Sequence, residues 1–154
     1  MLRIRIRAAR SGDWSQLEPL IAGLCKAHGD QHGITRKQFD DMVCRDNAPV
    51  LLLVAETPEG ILAGYVCGFA MYEFHSGRTK FRIQNIFVAE PFRRNRIGEA
   101  LLLSIQREAR DKLDAVAFGI GVENWNDAAL SLYKQLGFVE NDHAKNSTIL
   151  SREI

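Results

Sequence analysis

The spacing of apolar and polar residues divides the chain into an ordered series of strands and helices. Residues 2–8 alternate apolar with basic residues, which predicts a first strand. Apolar residues three and four apart, together with capping residues, predict helices over about 13–28, from Thr35 to about Arg45, over 97–113, and after Asn126. Apolar runs and alternation predict the remaining strands over 50–55, 61–74, 80–88, 115–122, 138–139 and 148–154. Pro19 fits the first helix only if that helix begins near it.

The strand over 80–88 changes its apolar phase halfway along. Phe81 and Ile83 occupy odd positions, whereas Ile86 and Val88 occupy even ones. A slip of one residue predicts a β-bulge at residues 84–85, which would splay this strand from a neighbour. The order of elements predicts one α/β (α+β) domain over residues 1–154, with a mixed, mostly antiparallel sheet flanked by helices.

The amino-acid composition limits the classes of protein to which this chain can belong. The 154 residues are 46% hydrophobic and 25% charged, with a net charge of +1, so no strong basic field favours nucleic acid or a membrane surface. The three cysteines lie far apart without a Cys-x-x-Cys pair, which favours reduced thiols. No apolar run approaches 18 residues. We therefore expect a soluble, cytoplasmic protein.

An arginine-rich loop joins the bulged strand to the long helix that follows it. Its sequence is Arg93-Arg94-Asn95-Arg96-Ile97-Gly98. Free backbone N–H groups and the positive end of a helix dipole favour anions at such a position. The loop therefore predicts a phosphate site, although a solvated basic turn would have the same composition.

A second motif lies downstream, over residues 126–138, with the sequence Asn-Asp-Ala-Ala-Leu-Ser-Leu-Tyr-Lys-Gln-Leu-Gly-Phe. It resembles the Asn-x-x-Ala-x-x-Leu-Tyr-x-x-x-Gly-Phe motif of the GNAT superfamily of N-acetyltransferases. The arginine loop resembles that family's pyrophosphate loop, Arg/Gln-x-x-Gly-x-Gly/Ala. Arg96 stands where the family has the first glycine, so we expect Arg96 to keep ordinary dihedral angles at the entry to the helix, with a side chain free to contact phosphate. The resemblance covers nearly the whole chain and implies the GNAT fold.

The resemblance also implies a reaction and its residues. An acetyl group would pass directly from acetyl-coenzyme A to a primary amine while both substrates are bound. The loop over 93–98 would hold pyrophosphate, and Phe87, Val88 and Asn126 would contact pantetheine. A backbone N–H near Phe87 or Val88 would hold the oxyanion, and Tyr133 would protonate the departing thiolate. By spacing alone, Tyr133 would be a core aromatic and Asn126 a helix cap.

The general base is left open by the sequence. Many relatives have a carboxylate in the strand before the loop, where this chain has Gln84 and Asn85. Glu73 and His75 at the end of the neighbouring strand, Glu123 after the following one, and a water relay are the alternatives.

A histidine pair and a glycine pair in the sequence give weaker indications of a functional site. His28 and His32 have a metal-ligand spacing, but Gly29 breaks the helix that would align them, so we expect no metal site. Residues 28–34 would instead line the acceptor site. The glycine pattern of a dinucleotide-binding site is not matched by Gly119-Ile120-Gly121. These residues predict a strand whose missing side chains leave room for one arm of a ligand.

Two other functions remain open, together with the oligomeric state. A non-catalytic acyl-coenzyme A binding or sensing module would fit the missing carboxylate and Arg96. A nucleic-acid module using Phe92 and the arginines is disfavoured by the net charge. The amine acceptor is undetermined, and the resemblance leaves a homodimer open.

Overall fold

A computed structural model describes residues 2–123 and 125–140. The chain divides into two compact units, Met1–Gly121 and Val122–Ile154. The terminal strand predicted over 148–154 lies outside the described residues.

The first unit contains a mixed five-stranded sheet. Its strands lie in chain order from one edge to the other, antiparallel except for the last pair. They are β1 (Arg5–Ala8), β2 (Val50–Glu56), β3 (Leu62–Glu73), β4 (Arg78–Val88) and β5 (Ala117–Ile120). The predicted mixed, mostly antiparallel sheet is confirmed.

A β-bulge interrupts β4 at the predicted place. Cys67 of β3 pairs with Asn85, and the next residue, Gly68, pairs with Ile83, so Gln84 is the extra residue. On the other side of β4, pairing with β5 covers Lys80–Ile83 and ends immediately before the bulge. Within the described residues, the end of β4 therefore presents a backbone edge without a β5 partner.

Helices pack on both faces of this sheet. The helices are α1 (Trp14–Ala27), α2 (Arg36–Phe39), which continues as a π-helical turn over Asp40–Cys44, and α3 (Ile97–Leu113). The core beneath α1 and α2 includes Leu17, Phe39, Val54 and Tyr65. The buried residues of α3, among them Leu101 and Ile105, cover the opposite face.

Pro19 lies deeper in the first helix than the sequence predicted. It lies inside α1, five residues after the helix begins, rather than at its start. A proline there removes the hydrogen bond to the Ser15 carbonyl. Because Ser15 is exposed, water can hydrate that carbonyl, and the helix continues.

A charged network joins β1, the start of α1 and β2. The Arg7 guanidinium donates to Asp13 at 2.7 Å and to Glu56 at 2.8 Å. Burial opposes ionisation of Asp13, but the hydrogen bonds from Arg7 and from the Arg10 backbone outweigh it, so the Asp13 pKa lies below its usual value. This network fixes the first helix to the edge of the sheet.

The second unit contains α4 (Asp127–Gln135). Asn126 caps it as predicted, because its Oδ1 accepts the Ala129 N–H at 3.2 Å. Gly137 ends it with φ +90°. Phe138 and Val139 form no strand, which corrects that prediction. Across the described residues, none of the helices has the length and hydropathy needed to cross a membrane.

Candidate active site

The arginine loop lies directly after β4 and a short 3₁₀ turn, Glu90–Phe92, and leads into α3. Arg94 and Arg96 both have left-handed backbones, with φ of 63° and 57°. The expectation that Arg96 keeps ordinary dihedral angles is therefore wrong. Arg96 adopts the conformation that glycine favours, which costs backbone strain but preserves the turn.

The start of α3 offers unpaired backbone donors. Arg96 precedes the helix but its side chain caps none of the N–H groups. The first helical hydrogen bond runs from the Ala100 N–H to the Arg96 carbonyl, which leaves the N–H groups of residues 97–99 without helical partners. A left-handed residue followed by a helical one also turns successive N–H groups toward one point. The backbone therefore fits an anion.

Side chains hold this loop in shape. The Arg93 Nε–H donates to the Val88 carbonyl at 2.9 Å, and its guanidinium lies 5.6 Å from the centre of the Phe87 ring. Asn95 donates to the carbonyls of Phe92 and Arg93, each at 3.1 Å. The structure thus brings Arg93 together with Phe87 and Val88.

The Arg96 side chain forms an ion pair with the first turn of α3. Its guanidinium donates twice to the Glu99 carboxylate, at 2.7 and 2.8 Å. That ion pair is exposed, and it keeps the Glu99 pKa below its usual range. A phosphate contact by Arg96 would have to compete with Glu99.

Phe87 is fixed by packing from α1. A Cβ atom on Gly23 would lie 2.8 Å from the Phe87 ring, so only glycine allows the ring to sit there. On β3, Tyr65 pairs with Phe87 and Gly64 with Val88. The end of β4 is therefore held firmly on its β3 side, whereas its other edge is open within the described residues.

Tyr133 and Asn126 belong to the second unit. Tyr133 is buried, with its ring centre 6.2 Å from that of Phe138, and burial raises its pKa above the usual value. The hydroxyl therefore keeps its proton well above neutral pH. Asn126 is occupied as the cap of α4.

The candidate bases occupy distinct places. Glu73 lies at the tip of the β3–β4 hairpin, where Lys80 and Ser76 bond its carboxylate and lower its pKa. It is eight residues along β3 from Tyr65, about 26 Å at the usual strand rise. The structure therefore does not bring Glu73, or the exposed His75 beside it, to Phe87. Glu123 is exposed in the second unit.

The two histidines with metal-ligand spacing lie in different surroundings. His32 Nε2 lies 3.5 Å from Glu18, and His28 is exposed. Among residues 2–123 and 125–140, no group of three or more potential ligands converges.

Sequence reasoning missed Arg82. The room predicted beside Gly119 and Gly121 is taken by the Arg82 side chain, since a Cβ on Gly121 would lie 3.1 Å from its Nη2. Because Arg82 alternates with the apolar Phe81 and Ile83, the sequence could have placed it on the sheet face opposite to theirs. Its reach across β5 required the three-dimensional register.

The bulged strand, the open edge and the unpaired N–H groups at the start of α3 agree with the fold that the resemblance implied. Residues 13–138 match the Acetyltransferase (GNAT) family, and the chain belongs to it. Its structure is similar to one described as a probable acetyltransferase, with a TM-score of 0.80 and 23% identity over 97% of this chain and 99% of the other. That likeness concerns the fold.

Two relatives have names that specify an acetyl acceptor. A thialysine N-epsilon-acetyltransferase of Sus scrofa is 28% identical over 146 residues, covering 89% of this chain and 85% of the relative. An L-ornithine N5-acetyltransferase of Arabidopsis thaliana is 33% identical over 82 residues. That match covers 50% of this chain and 33% of the plant protein, so this chain spans about a third of its length.

Proposed function

We propose that the protein is an N-acetyltransferase that moves an acetyl group from acetyl-coenzyme A directly to a primary amine. The observation that carries this proposal is the juxtaposition, within the first unit, of the open β4 edge and the unpaired N–H groups that begin α3. Family membership supports the acyl donor. The two relatives are named for ornithine and thialysine, which both carry primary amines.

The residues present suit coenzyme A. Its pyrophosphate would be held by the backbone N–H groups of residues 97–99 at the start of α3, with Arg94 available as an exposed cation. Its pantetheine arm carries amide groups, which can pair with the open edge near Phe87 and Val88. Coenzyme A supplies a thioester carbonyl and a thiolate leaving group, and no nucleophilic side chain is required.

Each proton has a donor or an acceptor in this scheme. The neutral amine nitrogen attacks the thioester carbonyl, which forms the N–C bond and a tetrahedral oxyanion. The C–S bond then breaks, the sulfur takes its proton from the Tyr133 hydroxyl, and the nitrogen releases its surplus proton to solvent water. A backbone N–H near Phe87 or Val88 stabilises the negative oxygen during transfer. The Tyr133 phenolate recovers its proton from solvent.

The acceptor must first lose a proton. An alkylammonium with a pKa of about 10.4 is neutral at pH 7 only at a cost of roughly 4 to 5 kcal/mol. We propose a water relay or Glu123 for this step, because Glu73 lies at the far hairpin tip with a lowered pKa. The single domain over 1–154, the homodimer and the cytoplasmic location stay as proposals.

Calorimetry tests the donor site. We expect saturable binding of coenzyme A in the micromolar range and much weaker binding of pantetheine, which lacks the pyrophosphate. Equal affinity for both compounds would contradict the assignment of the loop. Absence of coenzyme A binding would overturn the whole proposal.

A non-catalytic acyl-coenzyme A binding module is the second candidate. It is favoured by the strained Arg96 and by the amides Gln84 and Asn85 where relatives carry a carboxylate. A panel of primary amines incubated with acetyl-coenzyme A separates the two candidates. Thiol release that depends on the amine supports the enzyme, whereas binding without release from any amine supports the module.

A further inference from the structure

Arg82 lies on the same face of the sheet as α1, beyond the part of that face that the helix covers. Cys67 belongs to the core beneath α1, so the next residue, Gly68, and its partner Ile83 face the other way. Arg82 precedes Ile83 and therefore returns to the α1 face. The helices leave it exposed there, beside the bulge at Gln84.

Gly119 of β5 and Gly121, which follows the strand, make room for the Arg82 guanidinium. A Cβ on Gly121 would lie 3.1 Å from Nη2, and a Cβ on Gly119 would lie 3.7 Å from Nη1. Gly119 pairs directly with Arg82, so the side chain runs along β5 from Gly119 toward Gly121. Since β4 and β5 are parallel, this direction leads toward the open end of β4.

The charge of Arg82 is not neutralised within the described part of the chain. No acidic side chain there lies within ion-pair distance of it. Lys80, on the same face, is paired with Glu73, whose carboxylate also interacts with the charge of Arg78. Among residues 2–123 and 125–140, Arg82 therefore presents an unpaired planar guanidinium, the group that binds a carboxylate through two parallel hydrogen bonds.

The distance to the proposed reaction centre suits a short amino acid. Gly121 is one residue beyond Ile120, the partner of Ile83, so the guanidinium lies near the level of Gln84. Phe87 is three residues farther, about 10 Å along the strand. An extended ornithine or lysine spans about 6 to 8 Å from carboxylate carbon to side-chain nitrogen, and the hydrogen bond to arginine adds about 2.8 Å.

We propose that Arg82 binds the carboxylate of the amine acceptor. The acceptor is then an amino acid with a primary amine on its side chain, rather than a plain diamine of the same length. This inference rests on the proposed acetyltransferase function. Arg82 acts in it as a substrate-binding residue that sets specificity and takes no part in the transfer.

Matched acceptors test the proposal. L-ornithine and putrescine share the same chain of amine and methylene groups, as do L-lysine and cadaverine, but only the amino acids carry a carboxylate. We expect lower KM values for the amino acids in the wild type. In Arg82→Gln, KM for the amino acids should rise at least tenfold, whereas KM for the diamines should stay within about threefold.

Two further variants sharpen the test. Arg78→Gln removes an exposed arginine from the same strand and face, farther from the bulge, and should preserve the preference for amino acids. Gly121→Ala keeps the charge of Arg82 but crowds its Nη2, so this variant should weaken the preference. Thermal unfolding of each variant checks that it is folded.

The outcomes separate this inference from the proposed function. Equal use of amino acids and diamines by the wild type, or an unchanged preference in Arg82→Gln, overturns the role of Arg82. If no amine releases thiol, the proposed function fails, and calorimetry with ornithine and putrescine in the presence of coenzyme A tests Arg82 directly. Ornithine binding that is lost in Arg82→Gln supports its role, and binding that is equal in both proteins overturns it.

Discussion

Arg96 shows how a residue can occupy a position that suits glycine. Its φ of 57° is unfavourable for an L-residue, yet the helix begins directly after it. The ion pair with Glu99 fixes the side chain over the first turn of α3. A glycine signature in the sequence therefore reports the dihedral angle that a loop needs, and a different residue can still adopt that angle.

Replacing this residue tests the strain. Arg96→Gly should raise Tm by roughly 2 to 4 °C, because glycine adopts the left-handed backbone freely. Arg96→Val should lower it, because a β-branched residue is disfavoured there. Thermal unfolding measures both, and a Tm that falls in Arg96→Gly would show that the Glu99 pair outweighs the strain.

Tyr133 combines a core position with a proposed chemical role. Tyr133→Phe keeps the ring and its contact with Phe138, so the fold should survive. If the hydroxyl protonates the thiolate, kcat should fall roughly a hundredfold or more while coenzyme A affinity changes little. Steady-state kinetics and calorimetry measure the two quantities, with the exposed Tyr72→Phe as a control. Wild-type kcat would remove the role of general acid.

At the scale of elements, the spacing of apolar residues predicted the bulge and the bounds of α3, and the residue type of Asn126 predicted the cap of α4. These patterns failed where tertiary surroundings decide: Pro19 is tolerated because solvent reaches the carbonyl it leaves unpaired, and the apolar pair after Gly137 forms no strand. The sequence predicted which residue types form the candidate site. The position of Glu73 and the distance over which Arg82 extends across β5 depend instead on the register between strands. No pattern within one strand contains that information.

The bulge can be tested by removing its extra residue. Because Gly68–Ile83 and Cys67–Asn85 are consecutive pairs, deleting Gln84 leaves β3 and β4 in their present register with regular alternation. The variant should fold with a Tm close to the wild type. Transfer to amines should nevertheless be lost, because β5 pairing could extend along β4 and close the open edge. Retained turnover would show that the bulge is dispensable.

At the scale of the molecule, the Arg7 network links stability to pH. Since the pKa of Asp13 is lowered on folding, its contribution is present above the unfolded value near 3.8 and is lost as pH falls through the folded value. The free energy of unfolding should therefore decline in this acid range. Urea unfolding between pH 2 and 7 measures it.

A variant isolates the contribution of Asp13. Asp13→Asn should be less stable at neutral pH and should lose less stability on acidification than the wild type. The surface variant Asp111→Asn should keep the wild-type slope, since Asp111 is exposed beside Arg110. Parallel acid slopes for Asp13→Asn and the wild type would assign the linkage to other carboxylates.

The order of strands in the sheet also bears on how the chain assembles. β2, β3 and β4 are joined by consecutive hairpins, which close short loops, whereas β5 joins β4 only after the chain has crossed through α3. β5 is also the shortest partner of β4, with four paired residues. Fraying of this late-joining strand would widen the gap beside the end of β4 without disturbing the antiparallel hairpins, so the proposed substrate site borders a part of the sheet that few strand pairs hold.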